Sequence, residues 1–171
     1  IFHGQSERNQ TFIRGDYQLD NSNNFSWVFL NSVAKYQIPT LPGQELDPSG
    51  TVLPLLQASR PGFTPVASQA IDENQKENNQ YGHMVWRHDV NSSNFFSLSG
   101  YVRQTRATFR TDPFNLLAYT ADPAEPFSAA SQDRNAYSGG VRMDHTYIPN
   151  KEHVIKAGFQ VDRTQAVNKT R

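Results

Sequence analysis

The sequence predicts an all-β fold: an antiparallel, up-and-down segment of a transmembrane β-barrel, built from about six strands. Three observations carry that prediction. Apolar and polar residues alternate with a period of two, and helical periodicity is nearly absent. Short, Asn-rich connections alternate with long ones. Charged residues keep to one side of each predicted strand.

The strands are expected at about 11–19, 25–38, 80–90, 95–110, 136–148 and 153–166. "DNSNN" (20–24), "NSSN" (91–94) and "PNKE" (149–152) are rich in turn formers and close three hairpins. Two long loops, 39–79 and 111–135, join the hairpins. The first holds Pro39, Pro42, Pro48, Pro54, Pro61 and Pro65, which excludes a central strand there. Tight turns at one end and long loops at the other are the rhythm of outer-membrane barrels.

The 171 residues suffice for one domain, read as residues 1–171 of a partial barrel. The chain begins at Ile1 and stops at Arg171 in mid-pattern, which suggests a piece of a larger protein. Lys plus Arg equals Asp plus Glu at 16 each, so no bulk field draws the chain to nucleic acid. Without Cys there is neither a disulfide staple nor thiolate chemistry. No apolar run reaches the roughly 18 residues of a membrane helix. A barrel remains open to it, because only every second residue meets lipid.

The predicted outward face is Ile13, Gly15, Tyr17, Leu19; then Val28, Leu30, Ser32, Ala34, Tyr36, Ile38; then Gly82, Met84, Trp86, His88, Val90. It continues with Phe96, Leu98, Gly100, Val102; then Tyr137, Gly139, Val141, Met143, His145, Tyr147; then Ile155, Ala157, Phe159, Val161. None of these is charged. Arg106, Arg110 and Arg163 continue the same face beyond the expected lipid span of about 9–11 residues. Tyr17, Trp86, Phe96 and Tyr147 near the short turns, and Tyr36 and Tyr137 nearer the loops, form two expected aromatic levels.

The opposite face repeats Arg-x-Asp before each short turn: Arg14/Asp16, Arg87/Asp89 and Arg142/Asp144. Residues i and i+2 of a strand share a face, so these charges are expected to line a lumen, with cross-strand pairing between neighbours. Arg14-Gly15-Asp16 has the form of an adhesion signal, but it lies in a strand rather than at a loop tip. Its glycine is replaced by His88 and Met143 in the other two copies.

No nucleophile elbow, phosphate loop or HExxH motif occurs, so no catalytic residue is assigned. His3, His83, His88, His145 and His153 lack ligand spacing, so neither a metal nor a cofactor is expected. Asp47, Asp72 and Glu73 read as ordinary surface acids of the first long loop.

Three stretches resemble successive hairpins of a TonB-dependent outer-membrane receptor barrel: "NQTFIRGDYQLDNSNNFSWVFLNSVAKYQIPT", "DENQKENNQYGHMVWRHDVNSSNFFSLSGYVRQTRATF" and "NAYSGGVRMDHTYIPNKEHVIKAGFQVDRTQA". "HVIKAGFQVDRTQ" resembles the family's return strand after a short turn, and the likeness covers nearly all of 8–166. The resemblance implies location in a bacterial outer membrane and contact with its lipid. It also implies uptake of a small solute such as a siderophore or saccharide, and energy coupling to an inner-membrane protein through regions this chain does not contain. No plug domain or coupling box is identifiable, and six strands are too few to close a barrel, whose minimum is about eight. The candidate ligand contacts in the loops are Arg60, Phe63, Phe114, Tyr119 and Arg134, with ordinary loop packing as their alternative reading. The competing functions are a passive porin-like barrel and a soluble β-sandwich or adhesin domain. In a sandwich, Phe25, Trp27 and Phe29 would pack as a second layer.

Overall fold

The computed structural model describes residues 4–38, 41–119 and 130–170; the parts of the predicted loops at 39–40 and 120–129 lie outside them. The fold is all-β. β1 (Ser6–Gln18), β2 (Asn23–Gln37), β3 (Asn74–Asn91), β4 (Asn94–Arg110), β5 (Gln132–Asn150) and β6 (His153–Thr170) form one antiparallel sheet in chain order. Among the described residues the sheet is open, with β1 and β6 at its two edges.

The strands run from 13 to 19 residues, against about 3–10 in ordinary globular sheets. They extend further toward the long loops than the alternation indicates: β3 begins at Asn74 rather than 80, and β5 at Gln132 rather than 136. The added stretch "NQKENN" is polar on both faces and carries no periodic signal. Its backbone pairs nonetheless, because β2 and β4 supply partners on either side.

Each short turn is closed by one acidic or amide side chain acting on the backbone just ahead. Asp20 Oδ1 accepts from the amides of Ser22 and Asn23, both at 2.8 Å. Asn91 Oδ1 accepts from Ser93 N at 2.9 Å, and Asn150 Oδ1 accepts from Glu152 N and His153 N at 3.0 Å. These side chains replace the backbone partner that a tight turn removes. The same amide donors hold the Asp20 carboxyl below its ordinary pKa, the Ser22 amide contributing most.

Among the described residues, two short α-helices and one 3-10 turn (Ser68–Ala70) lie in the long connections, where the sequence indicates only loop. α1 (Val52–Ser59) is capped from a distance: Asp47 accepts from the amides of Val52 (3.1 Å) and Leu53 (3.0 Å). α2 (Pro113–Leu117) begins after Asp112, whose carboxylate accepts from Asn115 N at 3.3 Å. That is the N-cap followed by Pro that starts a helix.

The small hydrophobic core sits in these connections. Val52, Leu56 and Ala118 are buried together, with Phe63, Phe114, Leu117 and Tyr119 packed against them. By contrast, most large apolar side chains of the sheet are exposed, among them Tyr17, Met84, Val102, Val141 and Phe159.

The register corrects one predicted face. Residues opposite each other in an antiparallel pair share a face. Ile13 lies opposite Phe29, Gly15 opposite Trp27 and Tyr17 opposite Phe25; Phe25, Trp27 and Phe29 in turn meet Trp86, Met84 and Gly82. The apolar face of β2 is therefore Phe25, Trp27, Phe29 and Val33. Val28, Leu30, Ser32, Ala34 and Tyr36 lie with Arg14 and Asp16, and Ser32 and Ala34 are buried there. β2 is apolar at both parities, so its own periodicity leaves the choice open and pairing with β1 and β3 makes it. The second aromatic layer expected of a sandwich disappears with this correction.

Candidate functional site: the charged sheet face and the loop cluster

The three predicted Arg-x-Asp pairs share one face and close in the same way. Arg14 donates from Nε to Asp16 Oδ2 (3.0 Å) and from Nη2 to Oδ1 (3.2 Å). Arg142 donates from Nε (2.7 Å) and Nη2 (2.9 Å) to Asp144, and Arg87 Nε donates to Asp89 at 2.9 Å. Each rung is thus closed within its own strand, at i and i+2, and not across strands as expected. The reason is spacing: the strands bearing rungs alternate with strands that present serines between them. Asp16 lies opposite Ser26, Arg87 opposite Ser97, and Ser97 and Ser99 opposite Asp144 and Arg142. Ser26 Oγ donates to Asp16 Oδ1 at 2.7 Å, and the Arg87 guanidinium covers the Phe95 ring at 4.5 Å. All three rungs are substantially solvent-exposed, so they give the face its polarity and add little stability.

Asp162 is a fourth acidic centre on this face, and its side-chain partners are what sequence reasoning missed. Tyr101 donates to Asp162 Oδ1 at 2.7 Å, and Gln160 donates to Oδ2 at 2.5 Å. Asp162 lies opposite Gly140, Gln160 opposite Arg142 and Gly158 opposite Asp144. The two strands therefore carry matching triplets, Gly140-x-Arg142-x-Asp144 and Gly158-x-Gln160-x-Asp162, paired head to tail. The signal for this was the spacing of Gly and Asp in the last two strands. His83 also lies on this face, stacked beside Tyr81 with centroids 6.2 Å apart.

The other face carries the aromatics near the short turns. Phe25 stacks on Trp86 (6.3 Å), and Phe96 meets Trp86 edge-on (5.3 Å) and His88 (5.1 Å). Asn23 Oδ1 accepts from Trp86 Nε1 at 3.0 Å and lies 2.8 Å from His88 Nδ1. Tyr36, expected in the upper aromatic level, falls instead on the charged face, leaving Tyr137. The cross-strand ion pairs also lie on this side, toward the loops: Arg106 with Asp133 at 2.8 Å and Lys35 with Glu7 at 4.0 Å.

Of the predicted ligand contacts, four meet in the loop cluster. The Phe63 and Phe114 rings are 6.1 Å apart, the Arg60 guanidinium lies 4.4 Å over Phe114, and the Tyr119 hydroxyl donates to the Val66 carbonyl. Phe63, Phe114 and Tyr119 brace the small core; Arg60 is exposed beside it. Arg134 lies apart from them. It belongs to β5, opposite Ala107 and Asn168 on the charged face, because strand pairing continues past the predicted loop boundary.

Of the three loop acids, Asp72 is exposed as expected, whereas Asp47 and Glu73 differ from their predicted role. Asp47 caps α1 and binds the second connection, its amide donating to Ala118 O at 2.8 Å. Glu73 is buried, with Oε1 lacking a hydrogen-bond partner among the described residues. Burial, and then the nearby Asp112 carboxylate, push its pKa up.

Among the described residues no group of three His, Asp or Glu side chains gathers around a common point that could hold an ion. The arrangement offers a hydrogen-bonding wall of serines and paired charges, joined to a packed loop cluster. No protein-family model matches the chain and no curated protein is significantly similar to it.

Proposed function

We propose that this chain is a stretch of barrel wall from a TonB-dependent transporter of the bacterial outer membrane. The loops capture a small solute, such as a siderophore or saccharide, and the solute passes along the charged face. The chain binds and guides and catalyses no covalent step.

One observation carries this reading: a belt of uniform character on one face of an unusually long-stranded sheet. On β5 the belt runs from Tyr147 to Tyr137, ten residue steps, which is about 34 Å of strand at about 3.4 Å per step. At a barrel tilt of about 40° it rises about 26 Å, close to the apolar band of about 25 Å in outer-membrane barrels. Across all six strands, that belt holds no Asp, Glu or Lys, and its single Arg is Arg163 on the edge strand. The resemblance of the three hairpins to the receptor family supports active uptake over passive diffusion.

The test is single-cysteine labelling in the full-length protein, with any cysteine outside these 171 residues replaced, since the 171 contain none. Cysteine at 141 should react with a membrane-embedded probe and cysteine at 142 with an aqueous one. Equal aqueous reactivity at both, or a folded monomer in water without detergent, contradicts the reading. Solute uptake that persists after collapse of the inner-membrane proton gradient would replace active transport by a passive pore.

A further inference from the structure

Just beyond the belt, toward the long loops, the same outward face changes sign abruptly. Lys35 and Lys76 lie directly opposite each other on β2 and β3. Arg106 and Arg110 flank this pair on β4, opposite Asn78 and Asn74. All four cations line one hollow of about 500 Å³. Like charges placed directly opposite on neighbouring strands destabilise a sheet. A sequence that keeps such a pair, with two arginines beside it, breaks a local rule in the way functional sites do. The acids nearby are insufficient: Glu7 reaches Lys35 only at 4.0 Å, and Asp133 is held by Arg106. Lys76 and Arg110 form no ion pair among the described residues, and Arg110 feels Asp133 only at longer range, behind Arg106.

We infer that this hollow is a binding site for the phosphate groups of a phosphorylated lipid in the surrounding leaflet, an inference that rests on the membrane reading above. Two features select a lipid over a free anion. The cations stand at the rim of the apolar belt, so acyl chains attached to the phosphate lie on Phe29, Val102 and Tyr137 while the phosphate lies among the bases. Asn74, Asn78 and Thr108, which also line the hollow, add neutral hydrogen-bonding groups suited to phosphate or sugar oxygens. The lipid supplies the counter-charge that the sheet lacks and anchors the wall at the level of the headgroups.

The experiment uses the full-length protein in phosphatidylcholine nanodiscs carrying either lipid A or fully dephosphorylated lipid A, with retained lipid counted by native mass spectrometry. Insertion is scored first, by resistance of the strands to protease. Retention of lipid A well above its dephosphorylated form is expected. The double variant Lys76→Gln, Arg110→Gln should weaken that retention about thirtyfold, whereas Lys156→Gln on the charged face should leave it unchanged. If the protein inserts but holds both lipids equally, or the double variant binds lipid A as tightly as the parent, this site is overturned and the wall reading stands. Displacement of lipid A by millimolar inorganic phosphate would show a plain anion site and likewise overturn it. Failure to insert removes both.

Discussion

Asp144 on β5 faces Gly158 on β6, and a β-carbon at Gly158 would stand 2.8 Å from the Asp144 carboxylate and 2.7 Å from the Met143 carbonyl oxygen. The relation is reciprocal, since Gly140 leaves the space that Asp162 fills opposite it. Each carboxylate occupies the place of a side chain missing from the neighbouring strand. Gly158→Ala should therefore displace the Arg142–Asp144 rung and strain the β5–β6 ladder, lowering stability by about 1–3 kcal/mol in denaturant unfolding. Gly82→Ala is the control, because its nearest atom, Val102 Cγ2, would be at an ordinary 3.5 Å. Equal stability of the two variants would refute the packing role of Gly158.

The corrected face of β2 gives a sharper pair of substitutions. Trp27 shares the apolar face with Met84, and Val28 shares the charged face with Arg14. Trp27→Arg should cost about 2–4 kcal/mol of folding stability in bilayers, and Val28→Arg much less. The opposite ranking would restore the face assignment suggested by β2 alone.

Glu73 predicts a pH dependence of the loop cluster. Its folded pKa lies above the ordinary value of 4.5, so the folded loops favour the neutral acid. That contribution is complete below about 4.5 and is lost as pH rises through the raised folded value. Amide protection factors in 41–73 and 112–119, corrected for the intrinsic pH dependence of exchange, should rise on acidification through that window, and Glu73→Gln should flatten the profile. A wild-type profile that is already flat would argue against a buried acid.

Leu56→Ala should loosen the loops while sparing the wall. Leu56 is buried with Val52 and Ala118, and such truncations cost about 2–5 kcal/mol. Proteolysis should reach the connections before β3 and after β4 more readily, while strand protection is unchanged. Coupled loss of strand protection would mean that the loops and sheet fold as one unit.

Much of this architecture was legible because its causes are local. Asp20, Asn91 and Asn150 mark turns through bonds to amides two or three residues ahead. That each Arg-x-Asp pair shares one face is readable from spacing alone, though its closure within the strand is not. What was not legible depends on neighbours distant in sequence. The face of β2 needed Ile13 and Met84 to decide it. The partnership of Tyr101 with Asp162 spans 61 residues. Burial of Glu73 follows from two connections folding together. The helices were marked more clearly than the alternation suggested: Asp112 followed by Pro113 is a helix start, masked by the dominance of strand pattern around it.

The buried apolar core lies in the long connections, and the strands hold their register by their own ladders and Asx-closed turns. This separates two tempos of change. Substitutions around Phe63, Phe114 and Tyr119 can recast the surface of the connections without touching the pairing of a single strand. One sheet can in this way carry successive generations of differently shaped loops.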